Sequence, residues 1–216
     1  LGPEPDPVMV DFTAGHISSE EAALVIADLD KSLGNASFQF YPGVSYRHLM
    51  VWRNGRDPLE TTPPHDITGK ATAAYLPGGE GEAEVNDLMR RSREVLQNHP
   101  VSRARLAAGK KPPNSIWLWG QGRAPRMIRL TDRYGFRGGV ISAVDLLNGI
   151  GVYAGLQVIL VPGATGYTDT NYVGKAEAAL AALKEMDFVF VHVEAPDEMS
   201  HEGNLEGKIR AIEDFD

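Results

Sequence analysis

Apolar and polar positions alternate along this chain with two different periods, and the change between them divides it. Ser18 or Ser19 reads as a helix N-cap. Glu20 and Glu21 then fill a first turn, and Ala22, Leu24, Val25, Ile26, Leu29 and Leu33 are assigned to one face before Gly34-Asn35 closes the helix. Phe38–Tyr41 and Tyr46–Trp52 read as two strands joined at Pro42-Gly43, a hairpin. From Arg53 to Gly81 the pattern is polar and irregular, which fits a functional loop or a disordered one. Ala83–Leu106 predicts a long helix interrupted near Pro100, and Gly109-Lys110-Lys111-Pro112-Pro113 a linker.

Beyond that linker, short apolar runs alternate with helical stretches. Ser115–Trp119, Gly139–Ser142, Val158–Leu160 and Phe188–Val193 predict strands. Met127–Tyr134, Val144–Tyr153, Ala176–Met186 and the C-terminal segment predict helices. Such alternation implies an α/β fold, a parallel sheet with helices on both faces. The expected division is therefore residues 1–110 as an α+β domain and residues 111–216 as α/β.

Composition narrows the chemistry. At 216 residues, 43% hydrophobic and 23% charged, the chain can bury a sizeable core. No apolar run approaches the roughly 18 residues of a membrane span, so a soluble, cytoplasmic protein without membrane partners is expected. With no cysteine, a metal would have to be held by oxygen and imidazole ligands. The net charge of −8 argues against broad nucleic-acid binding but not against a small anion gripped by local arginines. A proline-rich start without an initiator methionine, and a stop inside a helical pattern, point to a piece of something larger.

The candidate chemistry gathers where strands are predicted to end. Asp197 and His201 follow the last strand at helical spacing. A carboxylate and an imidazole on adjacent turns form a ready pair of ligands for Mn²⁺ or Zn²⁺. The alternative makes Asp197 the helix N-cap and His201 a solvated first-turn residue. In Gly120-Gln121-Gly122-Arg123-Ala124-Pro125-Arg126, glycines and two arginines three apart could clamp a phosphate or carboxylate; otherwise this is a surface turn. Val161-Pro162-Gly163-Ala164-Thr165-Gly166 lacks a P-loop ending, and Asp169 and Lys175 are candidates only by nearness. In the first domain the polar candidates are His16, Arg47, His48 and the His65-Asp66 pair. Arg47 and His48 are expected on opposite faces of a strand, so that at most one points at a given cleft.

Five runs of this sequence carry a resemblance: Asp11–Ile17, Phe40–His48, His65–Ile67, Val161–Tyr172 and Ala195–Asn204. Together they resemble the cofactor-independent (2,3-bisphosphoglycerate-independent) phosphoglycerate mutases of the archaeal type, within the alkaline phosphatase superfamily. The resemblance implies a partial alkaline-phosphatase-like parallel sheet in residues 111–216 and an inserted α+β substrate-capping domain in residues 1–110. It further implies interconversion of 3-phosphoglycerate and 2-phosphoglycerate, in glycolysis and gluconeogenesis, through a phosphoserine intermediate. Two divalent ions would assist, Mn²⁺ first among Mn²⁺, Zn²⁺, Co²⁺ and Mg²⁺. By motif, Asp197 and His201 resemble ligands of one ion. Arg123 and Arg126 resemble the arginines that grip the phosphoglycerate, and His65, Asp66, His16 and Arg47 would be capping-domain contacts.

The departures are equally specific. No segment resembles the one bearing the nucleophilic serine, and the remaining metal-site motifs are missing, so a central fragment without activity of its own is expected. Two rivals stay open: a phosphotransferase or phosphohydrolase of the same superfamily acting on another small phosphorylated metabolite, and a non-catalytic binding module.

Overall fold

A computed structural model describes all 216 residues and separates them into two compact units, Leu1–Arg123 and Ala124–Asp216. The division lies further along than the boundary expected after residue 110, and the reason is the fate of Ser115–Trp119. Predicted as the first strand of the α/β domain, this segment pairs with no strand. Its apolar side chains Ile116 and Leu118 pack on the core of the first unit. The Ile116 N–H donates to Ser92 Oγ (3.0 Å) and the Trp117 indole N–H to the Thr62 carbonyl (2.8 Å). A serine hydroxyl and a loop carbonyl, rather than a neighbouring strand, receive these donors.

In the first unit, helix α1 (Ser19–Leu33) starts in a capping box. The Glu21 N–H donates to Ser18 Oγ and the Ser18 N–H donates back to the Glu21 carboxylate. Ala22, Val25, Ile26, Leu29 and Leu33 form its buried stripe, whereas Leu24, expected on the same face, is 61% exposed. The stripe recurs every three or four residues, and position 24 falls across the helix from it. It packs on Leu88 and Leu96 of α2 (Glu82–Gln97), Val101 of α3 (Pro100–Ala107) and Phe40. The interruption expected near Pro100 within 83–106 divides that stretch into these two helices. His99 caps the second, its Nδ1 accepting from the Val101 N–H at 3.2 Å, and Pro100 begins it.

Strands β1 (Phe38–Tyr41) and β2 (Leu49–Trp52) form the expected antiparallel hairpin, with Phe38 opposite Trp52 and their rings 5.2 Å apart. The second strand starts at Leu49, not Tyr46, because Ser45 has a positive φ of 52° and the Arg47 N–H turns back to the Val44 carbonyl. The polar stretch 53–81 is an ordered loop: β3 (Leu59–Glu60) pairs with β4 (Gly78–Gly79), and two 3₁₀ turns, Pro64–Ile67 and Ala73–Tyr75, lie between them.

One buried cation ties this unit together. Arg105, 3% exposed, donates through Nε to the Lys111 carbonyl (2.9 Å) and through its terminal nitrogens to Glu21 (2.5 Å) and the carbonyls of Ala14 and Gly15 (2.6 and 3.1 Å).

The second unit contains α4 (Leu130–Tyr134), β5 (Gly138–Ile141), α5 (Asp145–Ala154), β6 (Gln157–Val158), α6 (Tyr172–Ala182), β7 (Phe188–Val191), α7 (Ala195–His201) and α8 (Leu205–Phe215). The strands form a parallel sheet in the order β6-β5-β7. All four residues of the central β5 are buried. Helix α5 approaches closely at Gly151, where a Cβ would stand 2.6 Å from a methyl of Val140. Cover on both faces is incomplete, since Phe188 and Phe190 of the edge strand β7 remain exposed.

Breaking a buried, hydrogen-bonded charge pair costs about 3–5 kcal/mol, whereas losing a serine cap costs about 1 kcal/mol. Arg105→Ala should therefore destabilise the first unit well beyond Ser18→Ala in urea denaturation of the chain.

Candidate functional site

The first unit brings three of the predicted polar residues around one aromatic pair. Phe12 and Tyr46 meet edge to face at 5.6 Å. His16 lies 6.4 Å from the Tyr46 ring and His65 6.0 Å from Phe12, while the Arg47 guanidinium stands 4.7 Å over the Tyr46 face. Trp119 adds a further edge contact to His65 at 5.4 Å. Asp66 approaches His65 only to 3.7 Å, an exposed and loose pair. Periodicity could not reveal this cluster, because its members come from four separate loops.

Arg47 and His48 belong to the hairpin connection and not to a strand, which corrects the expected opposite-face arrangement. They nonetheless diverge. His48 Nδ1 accepts from the Gly43 N–H at 3.1 Å, and burial lowers its pKa, favouring the neutral ring. Arg47 stays with Tyr46.

The loop that carries His16 is held from both ends. Asp11 accepts from the Thr13 N–H (2.7 Å), the Thr13 hydroxyl (2.6 Å) and Lys111 (2.7 Å); the His16 N–H in turn donates to Thr13 Oγ1 (3.0 Å). Burial pushes the Asp11 carboxyl up, but these donors outweigh it and hold its pKa at about 2.

The arginine segment differs from its prediction. No strand precedes it, and α4 begins only at Leu130. Arg123, in the first unit, donates to Asp57 at 3.2 Å, and both are exposed. Arg126, in the second, is exposed as well.

At the carboxyl end of β7 the second unit presents its pair. His201 Nε2 and Asp197 Oδ2 are 3.2 Å apart, on side chains 75% and 63% exposed. Glu194, not Asp197, is the N-cap residue of α7, and the alternative that made Asp197 the cap does not hold. Buried Ala195 and Met199 anchor the opposite face, so Asp197 and His201 point outward. Two donors each about 2.0–2.2 Å from one ion lie about 3 Å apart, so this pair fits two neighbouring ligands of one divalent cation. No group of three or more His, Cys, Asp or Glu residues is placed to hold an ion, so further ligands are not gathered here.

Of what lies just behind this pair, sequence reasoning named only Lys175, by nearness, and missed Ser142, His192 and Glu194. Ser142 Oγ is 3.2 Å from His192 Nδ1, and His192 Nε2 is 2.9 Å from Glu194. Lys175, 2% exposed, donates from Nζ to the His192 carbonyl at 3.1 Å, and burial lowers its pKa. The available signal was position, since Ser142 and His192 each follow the last residue of a strand.

A parallel α/β unit with a carboxylate and an imidazole poised at a strand's carboxyl end, in a chain that also has an α+β unit, defines an α/β protein with a candidate divalent-cation site. Comparison with known proteins is more specific. Residues 2–102 match the family model of 2,3-bisphosphoglycerate-independent phosphoglycerate mutase. The chain is 58% identical over 209 residues, 97% of its length, to a probable 2,3-bisphosphoglycerate-independent phosphoglycerate mutase of Geobacter sulfurreducens. It is 57% identical over 207 residues, 95% of its length, to the corresponding protein of Methanosarcina barkeri. By sequence the chain is similar to 2,3-bisphosphoglycerate-independent phosphoglycerate mutases, and it spans about half the length of these relatives (52% of each). Its fold is similar to that of a Pyrococcus horikoshii protein (TM-score 0.72, 23% identity, 97% of this chain and 50% of that one). It is also similar to a cofactor-independent phosphoglycerate mutase of Thermoplasma acidophilum (TM-score 0.56, 22% identity, 94% and 56%). No helix is long and apolar enough to cross a membrane.

The lowered pKa of Asp11 sets a pH dependence. Its contribution to stability is complete above the unfolded carboxyl value near 3.8 and is lost as pH falls toward about 2. Urea midpoints measured between those limits should fall less steeply in Asp11→Asn than in the unaltered chain.

Proposed function

We propose that this chain is a segment of an enzyme that interconverts 3-phosphoglycerate and 2-phosphoglycerate through a phosphoserine intermediate at a two-metal site. In this reading the Ala124–Asp216 unit is part of an alkaline-phosphatase-like metal-binding domain and the Leu1–Arg123 unit is the inserted substrate-capping domain. The observation that carries it is the 58% identity to a named mutase over 209 residues; the 3.2 Å approach of Asp197 and His201 supports it independently.

Asp197 and His201 hold one divalent ion, Mn²⁺ first among the candidates. When bound, such an ion supplies charge neutralisation for phosphoryl oxygens. The chain's other residues bind and orient. Arg123 and Arg126 grip the oxygens of the phosphoglycerate through forked hydrogen bonds. Arg47, His16, His65 and Asp66 contact the substrate from the capping domain, where the Phe12–Tyr46 pair gives three of them a rigid base. No serine of this chain is assigned the nucleophile's role.

Asp197→Ala in the full-length protein tests the reading in a coupled assay that follows conversion of 3-phosphoglycerate. Turnover should fall by several orders of magnitude while the thermal midpoint stays near that of the parent, since the carboxylate is exposed. Unchanged turnover would overturn the proposal.

A further inference from the structure

The residues behind the Asp197–His201 pair form a chain of contacts whose geometry is more complete than packing requires. Every polar group of His192 is engaged. Its N–H donates to the Ile141 carbonyl (2.9 Å), its carbonyl accepts from Lys175 (3.1 Å), and its two ring nitrogens face Ser142 (3.2 Å) and Glu194 (2.9 Å). A carboxylate only accepts, so Nε2 carries a proton toward Glu194, while Nδ1 stands within hydrogen-bond distance of the Ser142 hydroxyl. The ring is thereby fixed in orientation as well as position.

That fixation passes directly to the candidate ligands. Glu194, whose carboxylate the ring holds, is the N-cap residue of α7, and its carbonyl accepts from the Asp197 N–H at 2.8 Å and from the Glu198 N–H at 3.2 Å. The first turn of the helix that presents Asp197 therefore hangs on Glu194, and Glu194 on His192. Behind them stands the buried ammonium of Lys175, with a backbone carbonyl as its partner. Burying such a charge costs several kcal/mol in order of magnitude, and a methionine would fill the space without that cost. Its return is a pinned carbonyl at the end of β7.

We propose that Glu194, clamped through His192 to Ser142 and Lys175, is a positioning residue that sets the Asp197–His201 pair at cation-binding separation. The inference rests on the reading of that pair as metal ligands. Residues that orient ligands without touching the ion alter affinity by about 10–100-fold when removed.

Mn²⁺ alone serves as the probe, titrated into the 216-residue chain while paramagnetic broadening of the His201 ring signals is followed by NMR and the thermal midpoint is recorded. Glu194→Ala should weaken Mn²⁺ binding by about tenfold or more. Glu194→Gln, which removes the charge but keeps an oxygen for the His192 N–H, should bind close to the unaltered chain. Equal weakening in both variants would mean that the carboxylate acts only through its charge, and no weakening in Glu194→Ala would mean that it does not position the pair; either overturns the proposal. Broadening that is the same in the unaltered chain and in Asp197→Ala would sink the metal reading itself, and this inference with it. Loss in Asp197→Ala with none in Glu194→Ala would sink this inference alone.

Discussion

A guanidinium removed from water must find acceptors, and much of the first unit is arranged around meeting that demand for Arg105. Its acceptors are the Glu21 carboxylate and the carbonyls of Ala14, Gly15 and Lys111. These draw the start of α1, the loop before it and the segment after α3 to a single point. Ile17 anchors the loop in the core, and Ala14 and His16 sit at positive φ of 50° and 49°. Such backbone persists where the surroundings over-determine it. The Asp11 carboxylate, paired with Lys111 and Thr13, fixes the other end. His16 is thus an exposed side chain on a loop held by a buried charge.

The elements legible in the sequence were those with local signals. The Ser18 box, the α1 stripe, the hairpin at Pro42-Gly43, the central strand near Gly139 and the helix after Pro196 each rest on contacts a few residues apart, which periodicity and cap chemistry report directly. Ser115–Trp119 shows where this stops. Its alternation suits a strand, yet the groups that satisfy it are Ser92 and the Thr62 carbonyl, remote in sequence. Leu24 shows the same limit on a smaller scale, since one apolar residue more than the stripe needs has to face water.

The candidate residues divide along the same line. Asp197 and His201 were readable because helical spacing alone brings them together, and they stand 3.2 Å apart. The gathering of His16, Arg47 and His65 around Phe12 and Tyr46 depends on loops from three parts of the chain, so those residues could be named but not placed together. Ser142 and His192 left no mark beyond following strands. Lys175 was a candidate only by nearness, and its burial is what gives it a role.

In both units a buried cation holds backbone carbonyls and an exposed group is what the loop presents. Arg105 pins the carbonyls of Ala14 and Gly15 beneath His16, and Lys175 pins the carbonyl of His192 behind Asp197 and His201. The division of labour has a physical basis. A group that must meet a ligand has to stay solvated and free to exchange partners, so it cannot also supply the energy that fixes its own position. Side chains withdrawn from water supply that energy, because there a hydrogen bond to a charge is worth more and its loss is costly. Exposed chemistry on a loop or a short helix therefore calls for a buried polar anchor one step behind it, and each unit of this chain contains one.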